Sequence, residues 1–330
     1  MSEGRSPYQE PGFLYAPPFS TAGAVLQGVL GERRLLLFLR HLNLAGACAA
    51  VWVSVLILRW PLAVRLLAAG VTVGLSPLVG NGLFLGNISL LVSALTLAGL
   101  QAAERRPVAA GVLLGSGLAL KPLALPALAL LALSRPPAGT GRARRVAALA
   151  GLVAAAGWLL LGLQHLAEMR SRAGGMPRPA HNVSLARALY CFGLEPPPAV
   201  LFGLVVAVGA AYVARRRLAG PELTVVAATV SLLALPIIWP HTFVLTYPVQ
   251  ARALERGVES LRAARADELP LRIGGLALVL AAILSLHGSQ GVGAAPAEWP
   301  LFLQGLVTLI PLAALAGLGV FAIRRTRPES

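Results

Sequence analysis

The sequence predicts an all-α polytopic membrane protein, a bundle of about nine to eleven transmembrane or re-entrant helices, at ~20 apolar residues per crossing. Three observations carry the prediction. Hydrophobic residues make up 57% of the 330 and charged residues only 12%, about half the charge of a soluble domain. The apolar residues gather in long runs divided by short basic clusters. The 35 Gly and 25 Pro would suggest loops in water, but both residues are commoner in membrane helices than in soluble ones, so they are read as kinks and close contacts. A soluble enzyme, a disordered tail and a disulfide scaffold are excluded.

Taken in order, residues 1–17 form a polar N-terminal segment with Glu3, Arg5, Pro7 and Pro11 and no apolar stretch before a small-residue cleavage site, so no signal peptide is expected. A single integral membrane domain follows over 18–323. Its apolar runs are 18–31, 35–58, 61–79, 86–103, 107–134, 146–166, 199–214, 223–238, 241–254, 271–288 and 300–323. The longer polar connections are 167–198 and 255–270, and a basic tail occupies 324–330. Two stretches are interrupted: 107–134 by Lys121-Pro122, and 223–254 by Pro236, Trp239, Pro240 and His241. Each is predicted to be a broken or re-entrant hairpin. Non-helical backbone at that depth needs protein or a watery cavity to satisfy it.

The net charge of +15 does not indicate nucleic acid, because the basic residues lie between apolar runs with no aromatic platform among them. The positive-inside rule accounts for them better. Arg105-Arg106, Arg135 to Arg145, Arg215 to Arg217, Arg252 to Arg272 and Arg324 to Arg327 all become cytoplasmic if both hairpin tips face out. That places loop 167–198 outside and loop 255–270 inside. Upstream the parity stays open, since Arg33 and Arg34 compete with Arg59 and Arg65 for one side. The outer loop carries Arg170, Arg172, Arg178, His181, Asn182 and Arg187, which breaks the rule and suits an anionic ligand. The expected location is the plasma membrane, multi-pass, with the active side outside.

Lys121 is the only lysine and sits inside an apolar run, where an ionisable group is a functional-site hypothesis. Its alternative is to snorkel toward the interface. The following proline favours a break that turns the ammonium into a cavity, where it meets a phosphate as a point charge. His241 after Trp239-Pro240 is a second candidate, as acid, base or anion donor. His41, His165 and His287 lack partners at metal-ligand spacing and read as structural. No metal and no cofactor is expected, and Cys48 and Cys191 read as unpaired thiols. No acid lies well inside an apolar run, and Asp267 is the only aspartate; coupled transporters usually place carboxylates at mid-membrane. Glu10, Glu168, Glu195 and Glu298 alone fall outside, each more often a solvated loop residue.

Several stretches together resemble glycosyltransferase family 87. They are Gly86-Asn87-Ile88-Ser89-Leu90-Leu91, then Glu104-Arg105-Arg106-Pro107, Ala110-Gly111-Val112-Leu113-Leu114-Gly115 and Ala119-Leu120-Lys121-Pro122. Asn182-Val183-Ser184-Leu185 resembles the family's Asn-x-Ser loop. Leu235-Pro236-Ile237-Ile238-Trp239-Pro240-His241 resembles its Trp-x-His-His segment, and Phe13-Leu14-Tyr15-Ala16-Pro17-Pro18-Phe19 its Tyr-x-Pro-Pro stretch. The resemblance implies a GT-C membrane fold and transfer of mannose from a polyprenyl phosphate. The chain departs from the pattern at Gly-Asn-x-Ser, where the family often has Gly-Gln-x-Asn, and at Thr242, where it often has a second His. The family begins with a first helix and an acidic outer loop, whereas this chain starts after that point with only Glu3 and Glu10 upstream of Tyr15. Either the start lies further upstream, or the copy is degenerate, or Glu10 has taken the role of base.

The first functional expectation is therefore an inverting hexosyltransferase moving a sugar, mannose by resemblance, from a polyprenyl-phosphate donor to an outer-leaflet lipid or glycan acceptor. Glu10 and His241 are the catalytic candidates; Lys121 and His241 hold the donor phosphate; Tyr15, Asn87, Asn182, Trp239 and Arg187 bind substrate. The second is a catalytically degenerate relative that binds a lipid-linked sugar or a partner. The third is a transporter of anionic lipid or solute.

Overall fold

The computed structural model describes residues 17–84, 88–134, 140–160, 182–238, 240–292 and 298–323. They form fourteen α-helices and no strand: α1 Pro17–Leu30, α2 Glu32–Leu56, α3 Leu62–Leu75, α4 Pro77–Phe84, α5 Ser89–Ala102, α6 Pro107–Leu120, α7 Leu125–Leu133, α8 Gly141–Leu159, α9 Leu185–Cys191, α10 Pro198–Arg216, α11 Gly220–Ala234, α12 Tyr247–Arg262, α13 Leu269–Val292 and α14 Leu301–Ala322. Among the described residues, α2, α10, α14 and the Leu269–His287 part of α13 are long and apolar enough to cross a membrane. The other apolar helices are shorter, because proline and glycine divide the runs. Large apolar side chains such as Leu67, Leu75, Leu271 and Leu284 are exposed on the outside, as lipid contact requires. The chain is an all-α polytopic membrane protein, as predicted.

Helices α5 and α11 form the centre and bury residues on nearly every side, which is what a helix apolar all round does in a packed interior. Close approach rests on glycine where α6 meets α8. A Cβ on Gly111 would lie 2.6 Å from the Ala147 carbonyl, and one on Gly115 would strike the Gly151 carbonyl. Small residues at such spacing let membrane helices pack backbone to backbone. Gly115→Val is expected to cost about 1–3 kcal/mol by overpacking, read as a lower Tm of the detergent-purified protein. Gly74→Val, where a Cβ meets nothing within 4 Å, serves as the silent control.

One end of the bundle is organised by arginine. Arg144 is fully buried and donates from Nε at 3.0 Å and from Nη2 at 2.5 Å to Glu104 Oε1. It also donates to the Leu218 carbonyl at 2.6 Å and to Ser134 Oγ at 3.5 Å. Glu104 Oε2 accepts from the Gly220 amide at 3.1 Å. One carboxylate and one guanidinium thus tie together the ends of α5, α7, α8, α10 and α11. A second cluster pairs buried Arg252 with Glu255 and, at 3.8 Å, with Glu222, while Glu255 accepts from the Arg59 amide at 2.5 Å.

These bonds show that both interrupted runs are hairpins. The start of α6 and the end of α7 lie at the same end, since Glu104 and Ser134 both bind Arg144. The start of α11 and the residues of α12 near 252 meet through Glu222 and Arg252. The tips, Lys121 to Ala124 and Leu235 to Ile238 with Pro240–Thr246, stand at the opposite end. They also resolve the open parity. Gln101 donates to the Val53 carbonyl at 2.5 Å, so α2 runs alongside α5 in the same direction, and Arg59 rather than Arg33 and Arg34 lies at the arginine end.

Several predicted boundaries are corrected. Segment 61–79 divides into α3 and α4, because Pro77 forces Ser76 into extended backbone at φ −74° and ψ 119°, as a residue before proline prefers. The run expected from 146 begins at Gly141, since the Glu104 pair lets Arg144 enter the helix buried. The loop expected over 255–270 is helical to Arg262, and Glu255, taken for a loop acid, is buried. Of loop 167–198, residues 182–198 are described and contain α9. Segment 1–17, apart from Pro17, and the tail 324–330 lie outside the described residues.

Candidate functional site

The end opposite the arginines gathers the predicted residues that the structure describes. Helix α6 stops at Leu120 because Lys121 adopts extended backbone, φ −160° and ψ 141°, ahead of Pro122. A 3-10 turn, Pro122–Ala124, then leads into α7. The break turns the Lys121 side chain inward. Its Nζ donates to Ser89 Oγ at 2.6 Å, and Ser89 is fully buried at the first turn of α5. The lysine therefore reaches into the bundle toward the N-terminal end of α5. Ser89, the fourth position of the Gly-Asn-x-Ser stretch, was absent from the expected site residues. Its place in that motif was the signal available for it.

The other two motifs meet directly. The Asn182 Nδ2 donates to the Pro236 carbonyl at 3.0 Å, and its Oδ1 accepts from the Ile238 amide at 2.8 Å. Ser184 Oγ donates to the same Pro236 carbonyl at 2.7 Å, and the Val183 amide donates to the Ile238 carbonyl at 2.9 Å. Proline at 236 and 240 prevents α11 from continuing, and the Asn-Val-Ser segment supplies the hydrogen bonds that the broken helix has lost. Asn182 is buried and occupied by backbone, so its visible work is to hold the break that precedes His241. Asn182→Ala removes both side-chain bonds and leaves the buried Ile238 amide unpaired, while Ser184 still serves the Pro236 carbonyl, at about 1–3 kcal/mol. The expected result is a lower Tm and weaker activity, with Ser184→Ala milder on both measures.

Ser184 also caps α9 by accepting from the Arg187 amide at 3.1 Å. Arg187, expected in an outward loop, is buried. Its Nη2 donates to Gln304 Oε1 at 2.7 Å and its guanidinium lies over the Tyr190 ring at 5.5 Å. Gln304 in turn donates to the Trp299 carbonyl at 2.8 Å, so Arg187 links α9 to the start of α14. Nearby Cys191 is buried and free; burial pushes its thiol pKa up against the opposing pull of Arg187, the setting of an unreactive thiol.

His241 belongs to the 3-10 segment Pro240–Thr246, which packs on α4, α5 and α11. Lys121 and the backbone of this segment thus share α5 as a neighbour. The side chain of His241, together with Glu10, Tyr15, Asn87, Trp239, His165 and Glu168, lies outside the described residues. Glu195 and Glu298 are exposed. Glu104, Glu222, Glu255, Glu259 and Glu268 pair with arginine. No group of three metal-ligating side chains occurs among the described residues.

The hairpin tips, the Lys121–Ser89 contact and the clamped break at 235–238 are among the parts of the chain that carried the resemblance. The family model for glycosyltransferase family 87 matches residues 13–236, about two thirds of the chain. The chain belongs to glycosyltransferase family 87. It is accordingly a membrane glycosyltransferase. The stretches around Ser89, Lys121, Asn182 and Pro236 fall at one end of its helical bundle, and Glu104 of the Glu-Arg-Arg-Pro stretch at the other. No curated protein and no solved structure matches it.

Proposed function

We propose that this family 87 protein moves a hexose, mannose by family resemblance, from a polyprenyl-phosphate donor to a lipid or glycan acceptor, with inversion at the anomeric carbon. The observation that carries the reading is the inward turn of Lys121 onto Ser89 at the break of a membrane hairpin. A cation held there suits a lipid-linked phosphate. As the glycosidic bond breaks, negative charge grows on the departing phosphate. A fixed ammonium then stabilises the transition state more than the ground state. His241, on the neighbouring tip, is the second donor to that phosphate. In this reading Glu10 takes the proton from the acceptor hydroxyl, Tyr15, Asn87 and Trp239 line the sugar and headgroup, and Asn182 and Arg187 hold the walls in place. The arginine end faces the cytoplasm of a plasma-membrane protein, and the Lys121 end faces out.

The test is transfer by purified protein in liposomes containing polyprenyl-phosphate mannose and a membrane lipid extract. Radiolabelled sugar appearing in lipid or glycan supports the reading. Intact donor, with protein that still melts cooperatively, overturns it. A second reading, binding of a lipid-linked sugar without transfer, is favoured by one observation: five of the described carboxylates are engaged with arginine. It predicts saturable donor binding with no product.

A further inference from the structure

A groove of about 280 Å³ lies between α2, α3, α12 and α13, away from Lys121. Its walls are largely apolar, including Val51, Leu58, Trp60, Val71 and Leu254. Helix α3 buries none of its residues, yet Ala68, Val71, Thr72 and Leu75 along it line the groove. The volume falls just below the roughly 300–1,000 Å³ of ordinary small-molecule sites, enough for a length of aliphatic chain. No Lys, Arg, Asp or Glu lines it.

One part of the lining is polar, and its hydrogen bonds run in a fixed order. Thr246 Oγ1 donates to the Phe243 carbonyl at 2.6 Å, so it accepts from Gln250 Nε2 at 2.7 Å. That orientation presents Gln250 Oε1 to His287 Nε2 at 3.0 Å. A carbonyl oxygen only accepts, so Nε2 carries the proton and the neutral ring keeps a lone pair on Nδ1. Among the described residues no partner of Nδ1 is found. Tyr247 stacks against the same imidazole with centroids 6.1 Å apart, and its hydroxyl meets Ser76 Oγ at 2.5 Å. Those two hydroxyls share one hydrogen between them, which leaves the other available to donate. Ser54 and Thr72 spend their hydroxyls on their own helices, on the Ala50 and Ala68 carbonyls, each at 2.7 Å.

We propose that this groove binds an uncharged, hydroxyl-bearing lipid, its chain along the apolar walls and its hydroxyl between His287 Nδ1 and the Ser76–Tyr247 pair. The site offers one acceptor and one donor, and an alcohol is the group that uses both. A phosphate there would lose its water and meet no cation. The site is therefore distinct in charge from the lysine-bearing end.

Photolabelling of the full chain in detergent micelles tests it, with mid-chain diazirine probes that are a long-chain alcohol, its methyl ether and its phosphate monoester. The alcohol should label peptides of α2, α3, α12 and α13 about tenfold more strongly than the ether, the effect of one unmade hydrogen bond in an apolar site. His287→Phe, which keeps the stack on Tyr247, should erase that preference. His287→Asn, which sets an amide oxygen near the Nδ1 position, should restore part of it. Equal labelling by alcohol and ether, strongest labelling by the phosphate, or an undiminished preference in His287→Phe would overturn the proposal. The readout needs no sugar transfer, so it stands or falls apart from the enzymatic reading.

Discussion

Lys121→Ala is expected to lower sugar transfer by roughly 10²–10³-fold, the loss that follows removal of one preorganised donor to developing charge. Most of the effect should appear in kcat, because the ammonium opposes charge that grows as the donor phosphate departs. Lys121→Arg keeps the charge and should recover part of the activity, although a planar guanidinium cannot reproduce a compact ammonium donating to Ser89 over 2.6 Å. Ser89→Ala should cost much less, since it removes the lysine's positioning contact and leaves the cation. Initial rates at saturating and limiting polyprenyl-phosphate donor separate the two parameters. Unchanged transfer by Lys121→Ala would remove this residue from the chemistry.

Arg144→Met should be the most damaging substitution for stability. It strips the partner from Glu104, which is only partly exposed, and removes the donors to the Leu218 carbonyl and Ser134. Breaking one side of such a buried pair costs about 3–5 kcal/mol. The expected outcome is poor recovery of folded protein and a strongly lowered Tm, with aggregation on gel filtration. The double variant Arg144→Met with Glu104→Met should be less unstable than Arg144→Met alone, because no buried charge is left unpaired. A double variant as unstable as the two single variants combined would show that the pair itself adds little beyond the packing of each side chain.

Much of the candidate site was legible because membrane solvent imposes strict rules on a sequence. A lone lysine followed by proline inside an apolar run is costly unless the chain breaks there, and the break was read correctly at Lys121. The hairpin at 235–246 was legible for the same reason, from Pro236 and Pro240. The division at Ser76 was missed even though Pro77 was in view, because the apolar run on both sides masked it. The burial of Arg144 and Glu255 could not be read locally, since each depends on a partner that the sequence leaves far away. Asn182 was recognised by its motif but assigned to substrate, whereas its amide serves the backbone of a segment more than fifty positions further along.

Composition and spacing alone determined that the chain is an all-α membrane bundle, that two of its apolar runs break at Lys121-Pro122 and between Pro236 and Pro240, and which single lysine stands at such a break. Those properties depend on neighbours along the chain and on the cost of placing polar groups in hydrocarbon. Only the tertiary structure decided that α2 runs alongside α5, that Ser89 receives Lys121, that Asn182 clamps Pro236 and Ile238, and that His287 faces a groove with its Nδ1 lone pair available. Each of these depends on which distant backbone or side-chain atom arrives within hydrogen-bond reach, and that is set by packing of the whole bundle.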